Sequence, residues 1–509
     1  MKKYMGNKSR ILPNIYEAAK FAPEHCTIFD AFAGTTNVGQ FFKSKGYKVI
    51  SNDVNTTSRL LGNVYLCLNS IPSFDTLFAS NCYTIQHLNE LLSTTEFAEK
   101  KELFITLNHN TNNESYLRKY YTANAFNLLV YLSFYAGKED FTDPAYNYTL
   151  LAPDFIWRNF CVKGTNSGYF NLVSQKSIIT QIKTLKKYEE KHGANTVTSN
   201  AIKLLGEIYV PPFKINNLRT VIRLLENNIS EFNSDASIST VIKKLTALSC
   251  RNNHIGNRMF FSEEHGHRID TINNLSLLWR KDGLITMEEY NFIQCSLIEA
   301  TALFSNTSAT YQAFYKTYRA NTLQEFRLVF PEIIPSDFEH KVYCDDTFDL
   351  ISKLDEQYDI LYLDPPYNWR IYDSNYHLLN LLSDFYNIAD NVLEYESGIT
   401  GAAGENRTLE REYTNYNRRN TFEDLLFELI RAAKCKYIII SYSDSLSNHN
   451  KNSLSSVQKI ENFLNDASLF VPGSYQKIEV RSINFESRKS EKKEKIHELL
   501  FIAQKRNSN

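Results

Sequence analysis

The string Ile360-Leu-Tyr-Leu-Asp364-Pro365-Pro366-Tyr367 sets an apolar run directly against two successive prolines. A short unbroken apolar run reads as a strand buried on both faces, and such strands belong to parallel sheets covered by helices. Proline has no N–H to give a ladder, so the pair stops the strand and fixes a rigid turn at its C-terminal edge. In open α/β sheets that edge is where ligands bind. The turn presents the Asp364 carboxylate, the Pro365 carbonyl and the Tyr367 ring. Those groups suit a planar base bearing an exocyclic amine. Asp364 and the Pro365 carbonyl accept its two amino protons, and Tyr367 stacks on its face. The plainer alternative is a tight turn with a buried tyrosine.

A second strand-to-turn junction lies near the N-terminus. Thr27 to Asp30 reads as a strand, Ala31-Phe-Ala-Gly34 as a tight turn, and Val38 to Lys45 as a helix ended by Gly46. Tyr47 to Ser51 is a further strand, followed by Asn52-Asp53. Glycine lets backbone approach a ligand, the helix start offers free amides, and an acid after the second strand can accept from ribose hydroxyls. Asp30, Phe32, Gly34 and Asp53 are therefore candidates for a nucleotide site, although an ordinary βα turn with a surface acid fits the same residues. No G-x-x-x-x-G-K-[ST] string occurs, which argues against a P-loop nucleotidase.

The α/β pattern returns after His340. Lys341 to Cys344, Asp359 to Leu363 and Tyr437 to Tyr442 read as strands, and Lys477 to Phe485 with Glu498 to Gln504 as a terminal hairpin. Between the two α/β pieces the periodicity is helical, for example over Ala123 to Tyr135 and Asn291 to Phe304. Split pieces of one sheet imply one domain carrying a large insertion. The expected boundaries are 1–56 with 336–509 for the sheet domain, and 57–335 for a mostly helical insert.

Composition narrows the function. Hydrophobic residues at 43% fill a sizeable core, and no apolar run reaches the length of a membrane span. Lys plus Arg number 56 and Asp plus Glu 57, so any nucleic-acid surface must be locally basic and compensated elsewhere. The eight cysteines are scattered without metal-binding spacing, so no metal is expected and a reducing cytoplasm is the simplest setting.

Three strings in order, K-Y-M-G-N-K-S-R-I-L-P-N-I, F-D-A-F-A-G-T-T and L-D-P-P-Y-N-W-R, resemble the Dam-like bacterial and phage DNA adenine methyltransferases. Met259 to Asn274, Ser296 to Phe314, Asn375 to Asn380 and Ile438 to Ser443 are similar to segments of type II modification enzymes of that group. The resemblance implies an α/β, Rossmann-like class I methyltransferase fold with a mixed seven-stranded sheet, and a target-recognition region lying between the glycine turn and Asp364. It implies S-adenosylmethionine as cofactor and double-stranded DNA as partner. A cognate restriction endonuclease acting on the same site is the implied setting.

By this resemblance Tyr4 and Lys8 match positions at the methionine part of the cofactor. Asp30, Phe32 and Gly34 match the turn beneath it, and Asp53 the ribose acid. Asp346, or its neighbour Asp345, matches the contact to the cofactor adenine. Asp364, Pro365, Pro366 and Tyr367 match the catalytic tetrapeptide, with Asp364 also near the cofactor. Thr36 stands where many relatives carry a second glycine. A β-branched residue resists positive φ, so the turn is expected to sit differently there. The implied reaction methylates the N6 amine of an adenine flipped out of the duplex, because a stacked base cannot reach the turn.

DNA contacts are expected from the insert. The candidates are Arg251, Arg258, His265, His267, Arg268, Arg280, Lys281, Lys316 and Arg319, with Tyr311, Phe314, Tyr315 and Tyr318 interleaved, and His377 for the target pocket. The same residues also fit solvated faces and core. Cytosine exocyclic-amine methylation, RNA methylation and a non-catalytic DNA-binding scaffold stay open as alternatives.

Overall fold

The computed structural model describes residues 8–108, 114–136, 155–161, 182–194, 196–208, 225–226, 237–243, 258–308, 310–315, 318–366, 372–400, 403–406, 422–443, 455–483 and 495–506. Its centre is a mixed seven-stranded sheet. In chain order the strands are β1 (Thr27–Asp30), β2 (Lys48–Asn52), β3 (Lys341–Tyr343), β4 (Tyr358–Leu363), β5 (Cys435–Ser443), β6 (Gln476–Ile483) and β7 (Lys495–Gln504). They lie in the order β3-β2-β1-β4-β5-β7-β6. The first five run parallel, and β7 is antiparallel to both of its neighbours. The chain moves outward in opposite directions from β1 and β4, so the switch point of the sheet lies between them. The terminal hairpin expected from the sequence is present as β6 and β7.

Alternation along the strands assigns residues to the two faces. Phe29, Ile50, Leu361, Ile438 and Phe501 share one apolar cluster with the helices Thr347–Lys353, Phe422–Ala432 and Ser456–Leu464. Their neighbours Ile28, Val49, Ile360, Ile439 and Ile502 pack on the opposite side against α1 (Leu12–Ala19) and α2 (Asn37–Ser44). Both faces are covered, which is why the strands read as continuous apolar runs.

A third apolar cluster forms the helical layer, and it includes the helices Asn124–Phe134, Glu263–Lys281, Met287–Phe304 and Tyr372–Ser383. Asn124–Phe134 matches the expected helix closely. Met287–Phe304 begins before the expected Asn291, because Thr286 and Glu289 close a capping box there. This layer joins the sheet domain through α3 (Thr56–Gly62), which runs on into a π-helical turn over Asn63–Cys67.

The end of that π-helical turn is closed by a buried lysine. The Lys43 ammonium on α2 donates to the carbonyls of Tyr65, Leu66 and Leu68 at 3.3, 2.7 and 2.7 Å. A helix C-terminus buried against a sheet needs such donors. Lys43→Met keeps the length of the side chain but leaves these carbonyls unpaired. We expect a loss of ~2–4 kcal/mol, read as a lower urea midpoint.

Candidate active site

The C-terminal edge of the parallel strands gathers acids. β1 ends on Asp30, β2 is followed by Asp53, β3 by Asp345 and Asp346, and β4 by Asp364. Parallel register sets Asp30 beside Tyr362, one strand over and two residues short of Asp364. Because β7 is antiparallel, it begins at this same edge, and Glu498 there pairs with Ser443 at the end of β5.

One cation sits among these acids. Lys8, ahead of α1, places its Nζ 3.1 Å from Asp364 Oδ1 and 3.3 Å from Glu498 Oε2. The Lys8 side chain is 8% exposed and the two carboxylates 18% each, so the pairs are largely shielded from solvent. Burial pushes the Asp364 carboxyl up to about 6, against the pull of Lys8 and with a further push from Glu498. Asp30 is fully enclosed and held well above the ordinary carboxylate range. Burial dominates there, Asp364 and Asp53 add repulsion, and the amides of Phe32 and Gly39 offset only part.

Asp53 organises the glycine turn. Its Oδ2 accepts the Gly34 N–H at 2.8 Å, and its Oδ1 accepts the backbone and side-chain N–H groups of Asn55 at 2.9 and 2.7 Å. Burial raises its pKa and these donors work against the rise. Ser58 Oγ donates to the Gly34 carbonyl from the other side. Gly34 takes φ +51, as expected for a glycine turn. Thr36 corrects the expectation for that position. It takes φ +58, the conformation a glycine would adopt. The cost is about 1–2 kcal/mol. Local bonds hold it there, with Thr36 N donating to Ala33 O at 2.7 Å and Thr36 Oγ1 accepting from Gln40 at 2.9 Å.

The other expected residues divide. Phe32 lies half-buried at the turn and packs on the sheet core. Asp346 caps the helix Thr347–Lys353, with its Oδ1 accepting from Phe348 and Asp349 at 2.9 and 3.3 Å. Asp345 is exposed, and its backbone N–H and carbonyl are held by Asn52. Pro365 and Pro366 follow β4 as read from the sequence. Tyr4 and Tyr367 lie outside the described residues, as do Arg251 and Lys316.

The expected DNA-facing set needs correction. Arg258, His265 and Arg268 are buried, each doing structural work. Arg258 donates to the Asn159 carbonyl and lies over the Phe160 ring. His265 holds the Gln324 carbonyl at 2.8 Å, and Arg268 donates to the Ser133 carbonyl at the end of Asn124–Phe134. Tyr311 is core, while Phe314 is half-buried against it. Tyr318 is half-buried and its hydroxyl donates to Phe261 O. His267 stacks on Trp157, and Arg280 reaches the Ile285 carbonyl. Lys281 is exposed and pairs with Asp390, and Arg319 lies over the exposed Tyr315 ring. His377 is buried, its ring nitrogens against the carbonyls of Ser374 and Ala403 at 3.1 and 3.0 Å.

Two contributors escaped the sequence reading. Glu498 stands only as a charge at the head of an apolar strand. Asn380 accepts from Thr57 Oγ1 at 2.8 Å and donates to Asn55 Oδ1 at 2.9 Å, which links the Asp53 loop to the helix Tyr372–Ser383. Asn380 closes the segment Asn375 to Asn380 already noted as similar to type II modification enzymes, but its role, like that of Glu498, is defined by a partner more than 300 residues away in sequence.

An open α/β sheet with an acid-rich ligand edge at its switch point is the class that fold and site define. Comparison with known proteins narrows it. The family model for D12 class N6 adenine-specific DNA methyltransferases matches residues 4–150 and 212–395, and the chain belongs to that family. The type II methyltransferase M.FokI of Planomicrobium okeanokoites is 30% identical over 248 residues, 49% of this chain and 35% of that protein. The modification methylase StsI of Streptococcus sanguinis is 30% identical over 251 residues, 49% of this chain and 35% of its own length. The type II methyltransferase M.NlaIII of Neisseria lactamica is 32% identical over 194 residues, covering 37% of this chain and 52% of that one. The chain thus spans about a third to a half of the relatives it matches. No solved structure matches it at a significant level.

The raised Asp364 pKa has a consequence for stability. Its folded value of about 6 exceeds the reference 3.8, so between those values the unfolded chain releases the proton first and stability falls as pH rises. Above pH ~6 the full penalty applies, on the order of 2–3 kcal/mol. Asp364→Asn should therefore raise the unfolding temperature at pH 7.5. The gain should vanish below pH ~4, where the wild-type carboxyl is protonated in both states. Thermal unfolding at the two pH values checks this.

Proposed function

We propose that the chain is a site-specific DNA methyltransferase. It moves a methyl group from S-adenosylmethionine to the exocyclic N6 of an adenine flipped from double-stranded DNA, and serves as the modification enzyme of a restriction–modification system. The observation that carries this reading is the Lys8–Asp364 ion pair at the end of β4, in a chain of the D12 adenine-specific family. The sheet order fits a Rossmann-like class I methyltransferase fold, and the helical layer is read as the target-recognition region.

The donor set suits a cationic cofactor. Asp364 and Glu498 flank the Lys8 ammonium, and Asp30 and Asp53 stand at the same sheet edge, so acids outnumber the cation there. When bound, S-adenosylmethionine supplies an electrophilic methyl on a positive sulfonium. Asp53, already accepting from Gly34 and Asn55, is read as the acid that meets the cofactor ribose. Asp346, or its exposed neighbour Asp345 after β3, is read as the contact to the cofactor adenine.

The residues also suit the amine. An aromatic exocyclic amine is a poor nucleophile because its lone pair is delocalised into the ring. Asp364 and the Pro365 carbonyl accept hydrogen bonds from its two N–H groups, which favours a tetrahedral nitrogen with a localised lone pair. The Asp364 carboxyl, raised to about 6, remains ionised at neutral pH and acts as an acceptor. Lys8 fixes one of its oxygens and leaves the other for the amine. Most of the acceleration comes from positioning and fixed charge. On the helical layer, the exposed Tyr315 ring lies beside the half-buried Arg319, whose guanidinium also donates to the Thr307 carbonyl, and this pair is read as a contact for the DNA backbone.

The test is expression in cells lacking adenine methylation, followed by nucleoside mass spectrometry and single-molecule sequencing of the DNA. N6-methyladenine at one motif is expected with the wild type and none with Asp364→Ala, which should retain its fold. N4-methylcytosine would replace the adenine reading with its cytosine counterpart. Cofactor binding without methylation of DNA would favour a non-catalytic scaffold.

A further inference from the structure

Glu498 lies outside the stretches matched by the family model, on the last strand of the chain. Topology alone delivers it to the site. The antiparallel insertion of β7 between β5 and β6 turns the start of β7 toward the edge where the parallel strands end. There its carboxylate takes hold of Lys8 at 3.3 Å, on an ammonium that also contacts Asp364 at 3.1 Å. All three side chains are mostly shielded from solvent.

A buried ammonium with one carboxylate partner would settle wherever that partner points. With two partners it is pinned between them, and the carboxylate it faces is oriented in turn. We propose that Glu498 is a positioning residue for methyl transfer, holding Lys8 so that Asp364 presents its second oxygen to the target amine. The inference rests on the methyltransferase reading above and deepens it.

Glu498 also adds charge to the site. Asp364 is faced by Lys8 from the N-terminal segment, Glu498 from β7, Asp30 from β1 and Tyr362 from β4 itself. Of these, Lys8 favours the ionised carboxylate and Glu498 opposes it. Removing the Glu498 charge should let Asp364 stay ionised to lower pH.

The experiment follows single-turnover methylation of duplex DNA at saturating cofactor across pH 5 to 8. In Glu498→Gln, which keeps the side-chain length and a polar contact to Lys8, the acid limb should move down by about one pH unit. In Glu498→Ala the limb should move likewise and the plateau should fall roughly tenfold. A double-mutant cycle with Lys8→Met tests the route, since Glu498→Ala should cost nothing further once Lys8 is gone. Unfolding midpoints establish that each variant is folded. A purely structural role would lower the midpoint and leave the limb in place. An unmoved limb in Glu498→Gln, or an undiminished Glu498→Ala penalty in the Lys8→Met background, overturns the proposal. A wild-type protein that methylates no DNA removes instead the reading beneath it.

Discussion

The parallel pairing of β1 with β4 is the constraint on which the rest of the structure depends. It joins Ile28–Asp30 to Ile360–Tyr362 across more than 300 residues of sequence. Without it the glycine turn and the Asp364 turn would have no common edge. With it, the Asp364 carboxylate adds to the burial that holds Asp30 above its ordinary range, and Lys8 meets Asp364 at the end of β4. Closing so long an excursion costs little more entropy than closing a shorter one. The bulk of the helical layer between the two strands therefore carries only a small topological penalty.

The same edge is built against stability. Asp30 and Asp364 are both held above their ordinary range mainly by burial. Thr36 adds a left-handed backbone at a β-branched residue beside them. These features sit at the ends of strands whose two apolar faces are both buried, and that burial can offset their cost. A binding edge needs charge where solvent is excluded, and only a rigid sheet can hold that charge in place.

Much of this was legible in the sequence. The buried strand before Pro365, the βα turn at Gly34, the acid after β2 and the terminal hairpin each follow from short-range rules, and each is present. What the sequence withheld depends on distant partners. Arg258, His265 and Arg268 read as basic surface because composition cannot distinguish a solvated cation from one closing a buried carbonyl. Glu498 reads as an ordinary strand-end acid until antiparallel pairing brings it to Lys8. The Met287–Phe304 helix starts early for a local reason, the capping box, which apolar periodicity alone does not register.

The helical layer meets the glycine-turn edge through a run of polar contacts. Asp53 accepts from Gly34 and from Asn55, Asn55 accepts from Asn380, and Asn380 accepts from Thr57. Arg59 of α3 pairs with Asp384 at 3.0 Å, just beyond the end of Tyr372–Ser383. The glycine turn, α3 and the helix that follows the Asp364 loop thus share one continuous set of polar contacts. Each bond contributes only about 1 kcal/mol net, but leaving a shielded member unpaired costs more. A displacement of Tyr372–Ser383 must therefore either carry the Asp53 loop with it or break several of these bonds at once. That stiffness ties the helical layer to the sheet edge by hydrogen bonds as well as by apolar packing, and it places the link at the residues that shape the glycine turn.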